Sequence, residues 1–318
     1  MPLKITKADE VMEVKTLVCT LYSQPGLGKT SLAFTASSPL LFDFDCGAYR
    51  AVDRGDTVQV EKWADVADIK PADLAEYDTI ILDTVGKALD FLAADIIASS
   101  PKLGYAGALN QQGWGQLGVK FRNFLASLQR HGKDIILISH MDEKADGDEI
   151  KERLKIPGGS KDLVLTDSDM IGRISIMNRR RMLVFSPTET SYGKDPANFD
   201  TIEVPPAGSP AFATFMADTL AKAKAALNEL SAAQVERKSE VEWFRQHLPG
   251  IKDADGINAV LERAKRAGRD VAKTVAARAT ELGLEFDPER RAYVYLEEFD
   301  PADDKELSDA EPAKEAAE

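Results

Sequence analysis

The sequence predicts an α/β fold on a mainly parallel sheet, followed by a small, mainly helical module and an acidic tail. Three observations carry this. Through the first two thirds, apolar runs of four to seven residues alternate with stretches of helical period, the pattern of a parallel sheet covered on both faces. After Pro205-Pro206 the strand signals give way to Ala-rich helical periods. Beyond Phe299 the chain is acidic and too poor in apolar residues to bury a core.

In chain order, strands are expected at 16–22, 39–44, 79–82 and 134–139, with helices at 30–36, 85–99 and 114–131. The β-rich runs 171–177 and 182–186 flank Asn178-Arg179-Arg180-Arg181 and predict a hairpin with a basic tip. Helices follow at 210–230, 239–247, 254–267 and 271–282, with 231–238 as a connection and a short strand at 292–296. The expected divisions are an N-terminal extension 1–13, an α/β core 14–206, a helical module 207–296 and a disordered tail 297–318.

With 318 residues, 44% apolar and 29% charged, the chain is ordinary globular protein. It has no run of about 18 uncharged apolar residues, so no spanning helix is expected. The opening MPLKITKADEVMEVK lacks an apolar signal core, and the expected location is the cytoplasm, away from membranes. Cys19 and Cys46 lack metal-ligand spacing and are expected to be core thiols. Ten acidic and two basic residues in 297–318 account for −8 of the net −13, so the remainder is only mildly acidic and can carry a local phosphate-binding strip.

The segment Ser23-Gln24-Pro25-Gly26-Leu27-Gly28-Lys29-Thr30 follows a strand and opens a helix, the setting that the phosphate-loop pattern requires. Ser23 stands where that pattern begins with glycine. Gly26 and Gly28 let the backbone turn its N–H groups toward one point, where the following helix also directs its positive end. Lys29 would bridge the β- and γ-phosphates and the hydroxyl of Thr30 would hold Mg²⁺, while Ser31 completes the binding segment. ATP and Mg²⁺ are the expected ligands. The apolar run Thr79-Ile80-Ile81-Leu82 ends in Asp83, which would bring a carboxylate to the same Mg²⁺. The strand before it ends in Asp43-Phe44-Asp45, and either carboxylate could activate water, Asp45 being favoured.

Asp83 is followed by Thr84, where AAA+ motors usually carry a catalytic Glu. This, with QPGLGKTSLAF, LLFDFDCGAYRA, YDTIILDTVGKALDFLA, NQQGWGQLGVKFRNFL and GKDIILISH, resembles phage-encoded RecA-like ATPases of the Sak group of single-strand annealing proteins, over about residues 14–205. The resemblance implies a RecA-like P-loop core, an ATPase stimulated by DNA, single-stranded DNA binding and a role in phage recombination. It further implies a homo-oligomer, ring or filament, hydrolysing at subunit interfaces, with a single-strand binding protein as a further candidate partner. His140 would be the polar sensor that such proteins place near the γ-phosphate.

Segments 100–113 and 142–161 are expected as mobile loops, the first carrying Tyr105, the second Lys151, Arg153, Lys155 and Lys161. Trp114 is expected to anchor a helix entry. Lys161, Arg173, Arg179, Arg180 and Arg181 are candidates for phosphate-backbone contact or for a finger inserted into a neighbour's nucleotide. A nucleotide switch that loads another replication protein without touching DNA, and a small-molecule kinase, are the competing functions.

Overall fold

The computed structural model describes residues 3, 5–7, 10–147 and 149–295. The acidic tail, Leu296 and part of the N-terminal extension lie outside the described residues. The chain divides into a core unit, Met12–Ser231, and a C-terminal unit that begins at Ala232.

In the core unit the strands are β1 (Val18–Ser23), β2 (Pro39–Asp43), β3 (Asp56–Gln59), β4 (Thr79–Asp83), the small pair β5 (Gly104–Tyr105) and β6 (Ala108–Leu109), β7 (Asp134–Asp146), β8 (Glu149–Leu154), β9 (Met170–Met177), β10 (Arg180–Val184) and β11 (Thr201–Glu203). The helices are α1 (Lys29–Ala33), α2 (Ala64–Ala67), α3 (Val85–Ser99), α4 (Gln111–Arg130), α5 (Ser160–Asp167), α6 (Pro210–Ala213) and the start of α7 (Phe215–His247). The main sheet runs β11-β10-β9-β1-β7-β4-β2-β3, with β8 paired to the outer part of β7. From β9 to β3 every pairing is parallel. This is the expected RecA-like P-loop core: β7 is inserted between β1, which leads into the 23–30 loop, and β4, which ends in Asp83.

Strand parity explains the two layers. Ile80 and Leu82 point to one face with Tyr22, Phe42, Ile135 and Leu137, where α3 and α4 pack through Leu89, Leu92, Ile96, Leu117, Phe121 and Leu125. Ile81 points to the other face with Leu21, Leu41, Ile136 and Ile138, against Leu32, Phe212, Met216 and Leu220. Apolar residues on both faces make these strands continuous hydrophobic runs.

The structure corrects several expectations. Residues 210–230 pack in the core unit: Phe212, Met216, Leu220 and Ala223 lie in its second layer, and the Met216 N–H donates to Thr35 Oγ1 at 2.9 Å. The unit boundary therefore falls at Ser231, within α7, rather than after Pro206. The connection expected at 231–238 is helical, because Ala, Gln, Glu, Arg and Lys there favour helix and no Gly or Pro interrupts them. Segment 142–161 is largely a hairpin, with β7 pairing to β8 from Met141 opposite Leu154 to Asp146 opposite Glu149. Segment 100–113 contains the β5–β6 pair, and α4 begins at Gln111 with Asn110 as its cap. Trp114 packs partly buried on the first layer. Cys19 is buried as expected, whereas Cys46 is exposed, since it lies in the turn after β2.

The C-terminal unit contains the end of α7, α8 (Ala254–Ala267), α9 (Arg269–Glu281), β12 (Leu284–Asp287) and β13 (Ala292–Tyr295). Ile257, Val260, Ala264 and Ala267 on α8 face Val271, Val275 and Ala279 on α9, with Phe244 and Leu248 closing the core. Asp253 caps α8, its carboxylate accepting from the Gly256 N–H at 2.8 Å. The Asn258 side chain brackets β13 by accepting from the Tyr293 N–H at 2.7 Å and donating to its carbonyl at 2.8 Å.

Candidate nucleotide-binding site

Because β1, β7, β4 and β2 are parallel, their C-terminal ends form one rim. Register fixes who meets whom there: Ser23 lies beside His140, Asp83 beside Ile138, and Asp43 beside Asp83. A cleft of about 340 Å³ opens on this rim, lined by Pro25, Gly26, Gly28, Lys29, Thr30, Ser31, Asp45, Gly47, Arg50, Ala51, Asp83 and His140.

The loop between β1 and α1 turns through left-handed backbone at Gly26 (φ 83°) and Gly28 (φ 80°). Side-chain-bearing residues rarely adopt that conformation, which is the physical reason for both glycines. Helix α1 is only five residues long, so the positive potential here comes from the loop and first-turn N–H groups rather than from a long helix.

Lys29 is buried beneath this loop, its ammonium donating to the Ser23 carbonyl at 3.1 Å, to Ser23 Oγ at 3.1 Å and to the Gln24 carbonyl at 3.2 Å. Burial pulls its pKa down to about 8, against the raising effect of Asp83. Thr30 Oγ1 donates to Asp83 Oδ2 at 2.5 Å. Burial pushes the Asp83 carboxyl up to about 6, opposed by that hydrogen bond and by Lys29, and reinforced by Asp43 and Asp45. Loop N–H groups, one desolvated ammonium, one hydroxyl and one carboxylate suit a magnesium-bound polyphosphate. Burial makes the charged form of each group less favourable than in water, and such a ligand would offset that cost.

The two candidate water-activating carboxylates differ sharply. Asp43 is buried and both its oxygens are taken, accepting from the Gly47 N–H at 3.1 Å and the Ala48 N–H at 2.9 Å. Asp45 lines the cleft. His140 also lines it, and its Nδ1 is buried without a hydrogen-bond partner. Burial, then Lys29, holds its pKa below the usual histidine value.

Of the expected loop contacts, Ser23, Gln24 and Leu27 turn elsewhere. Ser23 receives Lys29, Gln24 Nε2 donates to Glu143 Oε1 on the β7–β8 hairpin at 2.6 Å, and Leu27 packs toward the second layer. Ser31 borders the cleft while its hydroxyl accepts from the Val52 N–H at 2.9 Å. Sequence reasoning missed Gly47, Arg50 and Ala51, in a turn with no strong pattern of its own.

A family model described as AAA domain matches residues 15–197, more than half of the chain. The chain belongs to that family. The AAA domain thus spans the 23–30 loop, Thr30, Asp83 and His140. No curated protein matches the chain. Among solved structures the chain is similar to a crystal structure of the RadB recombinase, at a TM-score of 0.34 and 10% identity, covering 56% of this chain and 84% of that chain.

Within the AAA domain, most of the candidate DNA or trans-acting cations are engaged within the chain. Arg173 pairs with Glu152, and Arg180 with Glu203 at 2.8 Å. Arg181 lies along the outside of the phosphate loop, Nη1 reaching the Leu27 carbonyl at 3.5 Å and Nη2 the Pro205 carbonyl at 3.2 Å, its guanidinium over Phe212. Lys161 and Arg153 lie over the Tyr192 ring at 5.8 and 4.9 Å. The hairpin tip is the two-residue turn Asn178-Arg179, both at positive φ, leaving Arg179 exposed at its end.

Proposed function

We propose that the chain is an ATP-hydrolysing, single-stranded-DNA-binding recombination protein of phage type, acting in annealing or strand pairing as a homo-oligomer that hydrolyses ATP at subunit interfaces. The observation that carries the reading is the Thr30–Asp83 contact beside the desolvated Lys29, at the rim where Asp45 and His140 also converge.

Lys29 and the loop N–H groups would hold the phosphates, and Thr30 with Asp83 would hold Mg²⁺, which would supply charge neutralisation to the polyphosphate. Asp45 orients the attacking water and takes its proton; Asp43 is the weaker candidate, its oxygens being occupied. His140, with Nδ1 unpaired, is suited to sense the terminal phosphate. The β7–β8 hairpin is the favoured DNA contact. Lys144 stands opposite Lys151, whose ammonium also pairs with Asp146, Ile150 is exposed, and Glu143 holds Gln24 of the phosphate loop, which would link strand occupancy to the nucleotide. Tyr105, exposed on the β5–β6 turn, offers a stacking surface. Arg179 is the favoured trans-acting cation: among the described residues Arg173 and Arg180 are held by ion pairs, Arg181 by two carbonyls and Lys161 by the Tyr192 ring, whereas Arg179 has no such contact.

The test is ATP turnover with and without single-stranded DNA. Strong stimulation, weakened by Lys144→Ala combined with Lys151→Ala, is expected. Tight ATP binding with no response to DNA would instead favour the nucleotide switch. Mixing Arg179→Ala with Lys29→Ala chains checks the trans assignment: turnover recovers only if the arginine acts across subunits.

A further inference from the structure

We propose that Arg50 reads the third phosphate, making the site selective for the triphosphate over the diphosphate. The inference rests on the nucleotide reading above and adds a residue with no recognisable motif.

The backbone that carries Arg50 is fixed at several points. The Phe44 and Asp45 N–H groups donate to the Asp83 carbonyl at 2.8 and 3.2 Å, tying the turn to the metal-side strand. Asp43 accepts from the Gly47 and Ala48 N–H groups. The Val52 N–H donates to Ser31 Oγ, tying the far end of the turn to α1. The turn is thus clamped between the two elements that hold the phosphates and the metal.

The guanidinium, by contrast, is lightly held. Nη1 donates to Tyr49 Oη at 3.1 Å, the guanidinium carbon lies 5.0 Å from the centre of the exposed Tyr49 ring, and Nη2 lies 4.0 Å from the Asp45 carboxylate, with the side chain 61% exposed. A surface ion pair of that length holds a side chain weakly, so the group is free to turn within the cleft. It lies against Gly47 so closely that a Cβ there would stand 2.4 Å from Nη2.

Charge decides what this cation is for. Lys29 and the loop N–H groups serve the phosphates beside the loop, whereas the wall carrying Asp45 would meet a third phosphate with like charge. A guanidinium can bridge a carboxylate and a phosphate with separate N–H groups, offsetting that repulsion. With a diphosphate there is no third group to bridge, and Arg50 stays with Asp45.

The experiment is calorimetric titration of the full chain with Mg-ADP and with a magnesium-bound non-hydrolysable ATP analogue. Wild type is expected to prefer the triphosphate. Arg50→Ala is expected to weaken the triphosphate about tenfold while leaving ADP within about twofold. Arg50→Lys, which keeps the charge without the fork, falls between. Gly47→Ala is an independent probe: its backbone (φ −110°, ψ −6°) suits alanine, and the new methyl displaces the guanidinium without removing any cation. It too is expected to lose the preference. Equal losses for both nucleotides in Arg50→Ala, or a preference retained in either variant, would overturn the proposal. So would a wild type that binds both nucleotides equally. A wild type that binds neither sinks the nucleotide reading itself, a distinguishable outcome.

Discussion

Lys29 with Asp83 in the core unit and Arg263 with Glu240 in the C-terminal unit are both neighbouring opposite charges, yet they behave in opposite ways. Arg263 clasps Glu240 through two hydrogen bonds of 2.6 and 2.9 Å, and its guanidinium carbon lies over Trp243, 3.6 Å from the ring centre. That pairing lowers the Glu240 pKa and raises that of Arg263, so each group is more comfortably charged than in water. At the phosphate loop burial dominates: Lys29 is drawn down to about 8 and Asp83 is pushed up to about 6. The first pair is complete in itself. The second is complete only with added charge, negative beside the lysine and positive beside the aspartate, which is what a magnesium-bound triphosphate brings.

The largest effect expected from this contrast is in Asp83→Asn. Turnover at saturating Mg-ATP should fall at least about 100-fold, a loss typical of removing a main electrostatic contributor. The folded pKa of Asp83 is raised, so its charged form costs stability at neutral pH. The neutral asparagine should therefore leave the thermal midpoint equal or higher, and a large drop would break the comparison. In the C-terminal unit the balance reverses. Ile257→Ala empties a fully buried position and should destabilise that unit by about 3 kcal/mol in denaturant unfolding, with nucleotide affinity unchanged.

The pH dependence is the next effect in size. The folded pKa of Lys29 is lowered, so its charged form, and with it the phosphate contact, is present below about 8 and lost as pH rises through that value. Its share of nucleotide affinity should fall by up to about tenfold per pH unit above that point, and Lys29→Arg should remove this alkaline limb. Glu240→Gln should give the smallest change: a slight loss of thermal midpoint and the same nucleotide affinity as wild type.

Much of the core could be read from the sequence because β1, β2, β4 and β7 are buried on both faces, which writes them as unbroken apolar runs. The phosphate loop was legible because its backbone demands glycine at fixed places. Edge strand β3 was not, since Asp56-Thr57-Val58-Gln59 is half exposed and carries little periodicity. The β7–β8 hairpin is hard to read because its charged residues conceal the alternation, although Gly147, at φ 65° just after the last pair, is a usable turn signal. The continuity of α7 was also legible in retrospect, from the lack of any Gly or Pro between Ala211 and His247. Arg50 could not have been singled out, since its place depends on a turn that Asp43 and Ser31 fold back over the cleft.

The most direct test of the account is calorimetric binding of Mg-ATP to wild type and to Lys29→Ala. Saturable binding by wild type and its loss in the variant are predicted. A wild type without affinity for ATP in the presence of magnesium, or a variant that binds as tightly, would contradict the account.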